Sequence, residues 1–126
     1  MGLSNSRSVG KEAEQIALDY LLAQKLLLIT RNYCCRVGEI DLIMHDGDCL
    51  VFVEVRYRKP NRFASAALSV NLRKQRKLIK AAAFFLCRNT HLADRVIRFD
   101  VVALDGPSEM QSTLQWLQDA FRPSSG

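Results

Sequence analysis

Residues 39–57 read E-I-D-L-I-M-H-D-G-D-C-L-V-F-V-E-V-R-Y, and this stretch decides the fold. Its second half is the strongest strand in the chain, rich in β-branched and aromatic residues. Alternation sets Val51, Val53, Val55 and Tyr57 on one face and Leu50, Phe52, Glu54 and Arg56 on the other. The first half alternates as well, with Ile40, Leu42 and Met44 one way and Glu39, Asp41 and Ile43 the other. Asp46-Gly47 between them is a hairpin turn signal. With those two residues as the loop, His45 faces Asp48, Glu39 faces Glu54 and Asp41 faces Phe52. Asp41 and Glu54 are then diagonal neighbours on one face, roughly 7–8 Å apart at the backbone. A loop of three residues would send them to opposite faces, so the chemistry depends on this register.

Outward from the hairpin, residues 26–35 (LLLITRNYCC) have strand character, and residues 9–24 form an amphipathic helix. Ala13, Ile16, Ala17, Tyr20, Leu21 and Gln24 make its inner stripe, with Glu14 at the stripe's edge. After the hairpin, 58–70 is a basic connection. Asn71 is an N-cap for a helix over 72–88, whose stripe is Leu78, Ile79, Ala82, Phe85 and Leu86, with Gln75 one turn back. Residues 96–104 are a further strand, closed by Asp105-Gly106-Pro107. The segment 110–122 reads as a short extended piece and a final amphipathic turn carrying Leu114, Trp116, Leu117 and Phe121. A strand–helix–strand crossover requires parallel pairing of 48–57 with 96–104. The expected fold is therefore α/β, a mixed sheet flanked by helices in the order α-β-β-β-α-β, in one domain over 1–122 with a flexible tail at 123–126.

At 126 residues the chain can bury one sizeable core. No run approaches a membrane span, and nothing repeats at a fixed period. The start of the chain lacks an apolar signal core, which predicts a reducing, cytoplasmic setting and four free, mostly buried thiols at Cys34, Cys35, Cys49 and Cys87. Vicinal cysteines and two distant histidines do not make zinc spacing. The net charge of +5 is concentrated: residues 54–80 hold nine basic residues and one acid. Arg58, Lys59, Arg62, Arg73, Lys74, Arg76 and Lys77 form a strip that favours polyanions such as a nucleic-acid backbone.

Carboxylates gathered on one face beside such a strip repel one another unless a cation neutralises them. An oxygen-only ligand set suits Mg²⁺ or Mn²⁺. A hard cation beside a basic surface fits phosphodiester hydrolysis. The plain alternative is a solvent-facing surface on which Glu39, Asp41 and Glu54 pair with Arg36, Arg56 and Arg58. Asp100, in an apolar strand, is expected to cap or pair. Trp116 and Phe121 are expected to seal the core, Tyr57 to pack, and His45 to be solvated.

The runs Gly38-Glu39-Ile40-Asp41-Leu42-Ile43 and Leu50-Val51-Phe52-Val53-Glu54-Val55-Arg56 resemble the signature of the YraN-like family of bacterial proteins. That family is similar to the restriction-endonuclease-like, PD-(D/E)xK nucleases and to archaeal Holliday-junction resolvases. Four further segments match in order: Glu14 to Leu21, Arg73 to Arg76, Arg98 to Val102, and Trp116 to Phe121. The resemblance implies that Asp41 and Glu54 are metal ligands, with the Val55 carbonyl as a further one. It also implies that Glu14 supports the metal and that Gln75 flanks the site. Arg56 falls where the family pattern has lysine. Arginine stays charged and is a poor base, so this departure weakens the catalytic expectation and leaves the binding expectation intact. The implied activity is Mg²⁺- or Mn²⁺-dependent cleavage of DNA at branched structures, suited to a homodimer with no membrane attachment. The rival is a non-catalytic nucleic-acid-binding adaptor, and a third reading is a scaffold for a protein partner.

Overall fold

The near-continuous apolar runs Ile40–Met44 and Leu50–Val53 are what a strand buried on both faces requires, and the structure buries both. In a computed structural model that describes residues 5–59 and 70–123 (5–9 by backbone alone), the elements are α1 (Asn5–Ala23), β1 (Leu27–Cys35), β2 (Gly38–Asp46), β3 (Cys49–Arg58), α2 (Leu72–Arg88), β4 (Ile97–Asp105) and β5 (Thr113–Phe121). A 3₁₀ turn, Thr90–Leu92, follows α2. The sheet order is β1-β2-β3-β4-β5, antiparallel throughout except for the parallel β3–β4 pair. That is the α/β, helix-flanked mixed sheet expected, with one strand more.

Each helix covers one face. Ala13, Ala17, Leu18 and Leu21 of α1 pack on Leu42, Met44, Val51, Val53, Val102 and Leu104. Leu78, Ala81, Ala82 and Phe85 of α2 pack on Ile40, Ile43, Leu50, Phe52, Phe99 and Val101. Asn71 caps α2 as expected, its Oδ1 accepting the Lys74 N–H at 2.9 Å. Gln24, expected on the inner stripe of α1, is exposed.

Four expectations need correction. First, the hairpin pairs Asp46 with Cys49 and Leu42 with Val53, two residues out of the expected register. The loop is Gly47-Asp48, because the first loop position has φ of +62°, which glycine adopts at no steric cost. Second, the alternation of β2 slips at Asp41, so that Ile40 and Ile43 share the α2 core while Leu42 and Met44 share the α1 core. Third, the C-terminal segment is the full strand β5. Its misleading spacing comes from a bulge: Val101 pairs with Leu117 but Phe99 with Phe121, and Asp119 takes a φ of +54°. Leu117 and Phe121 therefore reach one core and Leu114 and Trp116 the other. Fourth, the thiols are all free but not mostly buried, since Cys34 and Cys87 are exposed.

Asp100 pairs, as expected. Fully buried, it accepts two bonds from Arg98, one from Trp116 Nε1 and one from the Asp119 N–H, each at 2.9 Å. The bulge in β5 is what delivers that last donor. No described helix is long and apolar enough to cross a membrane. Arg62 and residues 124–126 of the expected tail lie outside the described residues.

Candidate functional site

The β2–β3 ladder runs only from Asp46–Cys49 to Leu42–Val53. Both strands continue past that point, β2 paired with β1 and β3 paired with β4, so the sheet forks. Asp41 stands at the crotch of the fork. Its Oδ2 accepts the Val55 N–H at 2.8 Å, occupying a backbone donor that the interrupted ladder leaves to spare. The observed register, continued by one residue, sets Glu54 directly opposite Asp41 rather than diagonal to it.

Because the fork interrupts the sheet between the two helix layers, side chains from both enter it. The cleft, of about 400 Å³, is lined by Gly10, Ala13 and Glu14 of α1, Glu39 and Asp41 of β2, Glu54 to Tyr57 of β3, and Lys74 of α2. Glu54 is buried, 3% exposed, and its Oε2 lies 3.3 Å from Arg56 Nη1 and 3.6 Å from Lys74 Nζ. Glu14 faces Asn32 of β1. With that amide nitrogen turned toward it, Asn32 donates to Oε1 at 2.9 Å and to Oε2 at 3.2 Å. Asn32 can point there because it holds the left-handed conformation, φ of +55°, that asparagine tolerates better than most residues. The residue before Glu14 on α1, Ala13, donates its N–H at 2.7 Å to Glu109 of the β4–β5 connection, which fixes this turn of the helix.

Among the described residues that line this cleft, four carboxylates meet two cations, a formal surplus of two negative charges. The titrations reflect it. Burial, with the Asp41 charge beside it, pushes Glu54 up to about 8, against the pull of Lys74 and Arg56. Burial and Asp41 push Glu14 up to about 7. Burial also raises Asp41, although the Val55 N–H pulls the other way. Without a further cation, Glu14 and Glu54 therefore hold protons near neutral pH. In kind, the donors fit a hard divalent ion: oxygens only, partly desolvated, with an excess charge that such an ion would cancel. In placement they are not yet gathered: among the described residues no three His, Cys, Asp or Glu side chains stand close enough to form a ready-made metal cluster.

Of the residues singled out from the sequence, Glu14, Asp41, Glu54, Val55 and Arg56 all reach the cleft. Gln75 does not; its amide donates to the Val70 carbonyl at 3.1 Å and closes the turn before α2. Lys74, expected to contact the nucleic-acid backbone, lines the cleft, whereas Arg73, Arg76, Lys77 and Lys59 are exposed. Nothing in the linear spacing distinguishes Lys74 from Arg73; the helix rotation set by the Asn71 cap does. Asn32 and Glu109 carried no sequence signal. Tyr57 packs structurally, donating its hydroxyl to the Gly106 carbonyl at 2.8 Å.

Residues 13–104 match the family described as Uncharacterised protein family UPF0102. The chain belongs to that family. A UPF0102 protein of Stutzerimonas stutzeri (strain A1501) is 48% identical over 119 residues, covering 94% of this chain and 98% of the relative. One from Pseudomonas fluorescens (strain Pf0-1) is 50% identical over 112 residues, covering 89% and 91%. One from Pseudomonas savastanoi pv. phaseolicola is 46% identical over 121 residues, covering 96% and 98%. This UPF0102 chain thus spans nearly the whole length of its relatives, fork and both flanking helices included.

Proposed function

We propose that this UPF0102 protein is a divalent-metal-dependent nuclease that hydrolyses phosphodiester bonds of DNA, with branched DNA as its substrate. The observation that carries the reading is the fork, where Asp41 and Glu54 meet from adjoining strands in a cleft with a surplus of two negative charges. Asp41 and Glu54 would hold Mg²⁺ or Mn²⁺, with the Val55 carbonyl as a third donor and Glu14 receiving the ion's waters. When bound, the ion supplies Lewis acidity at the scissile phosphate and a more acidic attacking water. Arg56 holds a phosphate oxygen through its fixed positive charge. Val55 keeps Asp41 oriented through its N–H, and Asn32 does the same for Glu14.

The surface beside the cleft suits the substrate. The first turn of α2 carries Arg73 and Lys74 and no acid, with Arg76 and Lys77 in the next. Positive side chains at a helix N-terminus oppose the macrodipole and cost stability, and an anion seated there reverses the sign of that interaction. Arg58 and Lys59, just past Tyr57 of the cleft lining, extend the strip along the chain. Cutting both strands of a junction needs two such clefts, which a pair of copies related by two-fold symmetry would provide.

The test is cleavage of junction, flap and single-stranded DNA with Mg²⁺ or Mn²⁺, alongside Asp41→Ala and Glu54→Ala. Divalent-dependent cleavage that disappears in both variants while binding persists supports the nuclease. One observation favours the rival adaptor reading: Glu54 is already ion-paired to both Arg56 and Lys74. Salt-sensitive DNA binding without cleavage under any divalent ion would establish that reading instead. Absence of salt-dependent DNA affinity would point to the protein scaffold.

A further inference from the structure

Arg56 stands where the nuclease pattern that this sequence resembles has a strand lysine, yet the cleft does hold a lysine. Lys74 comes from the opposite layer, on the first turn of α2, and its Nζ approaches the same Glu54 Oε2 that Arg56 approaches, at 3.6 Å and 3.3 Å. We propose that Lys74 is a catalytic residue of this cleft, its ammonium holding the attacking water and the scissile phosphate in place of the absent strand lysine. The inference rests on the nuclease reading above and assigns one residue within it.

Three observations carry it. Lys74 is half-buried, while its basic neighbours on α2, Arg73, Arg76 and Lys77, are exposed, so the helix singles it out. Its direction is fixed by backbone, since Asn71 Oδ1 holds the Lys74 N–H and the Gln75 N–H bonds the Asn71 carbonyl at 2.9 Å. That capped first turn sets the rotation of α2 that places Lys74 in the cleft lining. Its chemistry also differs from that of Arg56: an ammonium is a compact point charge with three rotatable donors, whereas guanidinium is a rigid planar fork. In the step itself, the water oxygen forms a bond to phosphorus and the P–O bond to the leaving oxygen breaks. The leaving oxygen keeps the electron pair and takes a proton from solvent, and the water's proton passes to solvent. Lys74 stabilises the charge that gathers on the phosphoryl oxygens in between.

The experiment compares wild type, Lys74→Ala, Lys74→Gln, Arg73→Ala, Arg56→Lys and the double variant Arg56→Lys/Lys74→Ala. Three quantities are read: single-turnover cleavage of a junction with Mg²⁺, affinity for the same DNA with Ca²⁺, and affinity for Mn²⁺ alone. Removing one such charge-stabilising donor costs about 10²–10³-fold in rate. We expect that loss in Lys74→Ala and Lys74→Gln, with DNA affinity in Ca²⁺ within about threefold of wild type. Mn²⁺ affinity is expected to hold or rise, since a competing cation has left Glu54. Arg56→Lys should restore at least tenfold of the cleavage lost in Lys74→Ala. Arg73→Ala, in the binding strip, should lower DNA affinity in Ca²⁺ and slow cleavage no more than that loss of affinity accounts for. Wild-type rates in both Lys74 variants, a loss of DNA affinity as large as the loss of rate, weaker Mn²⁺ binding, or no rescue by Arg56→Lys each overturn the assignment alone. No cleavage by the wild type overturns the nuclease reading and this assignment with it.

Discussion

Asp41 does two jobs that a substitution can separate. Its charge adds to the negative surplus of the cleft, and its oxygen satisfies the Val55 N–H. Asp41→Asn keeps an acceptor and removes the like-charge repulsion with Glu54 and Glu14. It is therefore expected to abolish divalent-dependent cleavage while raising the melting temperature at pH 8. Asp41→Ala removes the acceptor too, leaving a recessed N–H without its partner at a cost of about 1–3 kcal/mol. Thermal unfolding of the two variants side by side checks this; an Asn variant less stable than the Ala variant would sink it.

The raised acids set a pH dependence of stability. Glu54 titrates near 8 in the folded chain against 4.5 when unfolded, so between those values the folded state binds more protons. Stability therefore falls as pH rises through that window. Glu14, near 7, adds to the same trend. Without divalent ions, melting temperature is expected to drop from about pH 5 to about pH 8.5, the span of those two titrations. Millimolar Mn²⁺ should recover it at the alkaline end, since a bound cation replaces the protons. A melting temperature that climbs steadily over that range contradicts the proton-sharing arrangement.

Among the elements, the helices and β3 were legible because their periodicities are long and uninterrupted, and Asn71 marks the start of α2 in plain sequence. The hairpin was half legible. Parity placed Asp41 and Glu54 together, but the choice between Asp46-Gly47 and Gly47-Asp48 as the loop turns on which position needs positive φ, which spacing does not encode. The slip of β2 at Asp41 was hidden for a similar reason: ideal alternation does not show where a strand loses one of its two partners. β5 was misread because its bulge imitates helical spacing.

That bulge gives a prediction of its own. Asp100 ties β4 to β5 through Arg98, Trp116 and the Asp119 N–H. Asp100→Ala removes one partner of a buried ion pair and is expected to cost about 3 kcal/mol or more. Urea denaturation gives the size. Hydrogen exchange should show β5 losing protection first, and uniform loss across the sheet would mean the tie is not local. Gly106 is constrained in another way: a Cβ there would run into the Gln111 carbonyl oxygen, so Gly106→Ala must shift the connection that carries Glu109.

At the scale of the molecule, charge asymmetry governs encounter with a polyanion. The exposed Arg73, Arg76 and Lys77 lie outside the cleft, so they are expected to contribute affinity without chemistry. Arg73→Ala/Lys77→Ala should flatten the salt dependence of DNA affinity by about two in log–log slope, one for each phosphate no longer neutralised. Unchanged slope would place the nucleic acid on another surface. The concentration of positive charge was plain from composition, whereas the division between Lys74 inside and its neighbours outside required helix rotation, a three-dimensional fact.

The forked sheet has one more consequence. Its acids arrive from a helix on one side and a hairpin, and its lysine from a helix on the other, so the assembly draws on segments from Glu14 to Lys74. An isolated hairpin peptide would carry Asp41 and Glu54 without the cleft, and a truncation that drops either flanking layer would take that cleft apart. In this chain, gathering these side chains and completing the tertiary structure are a single event.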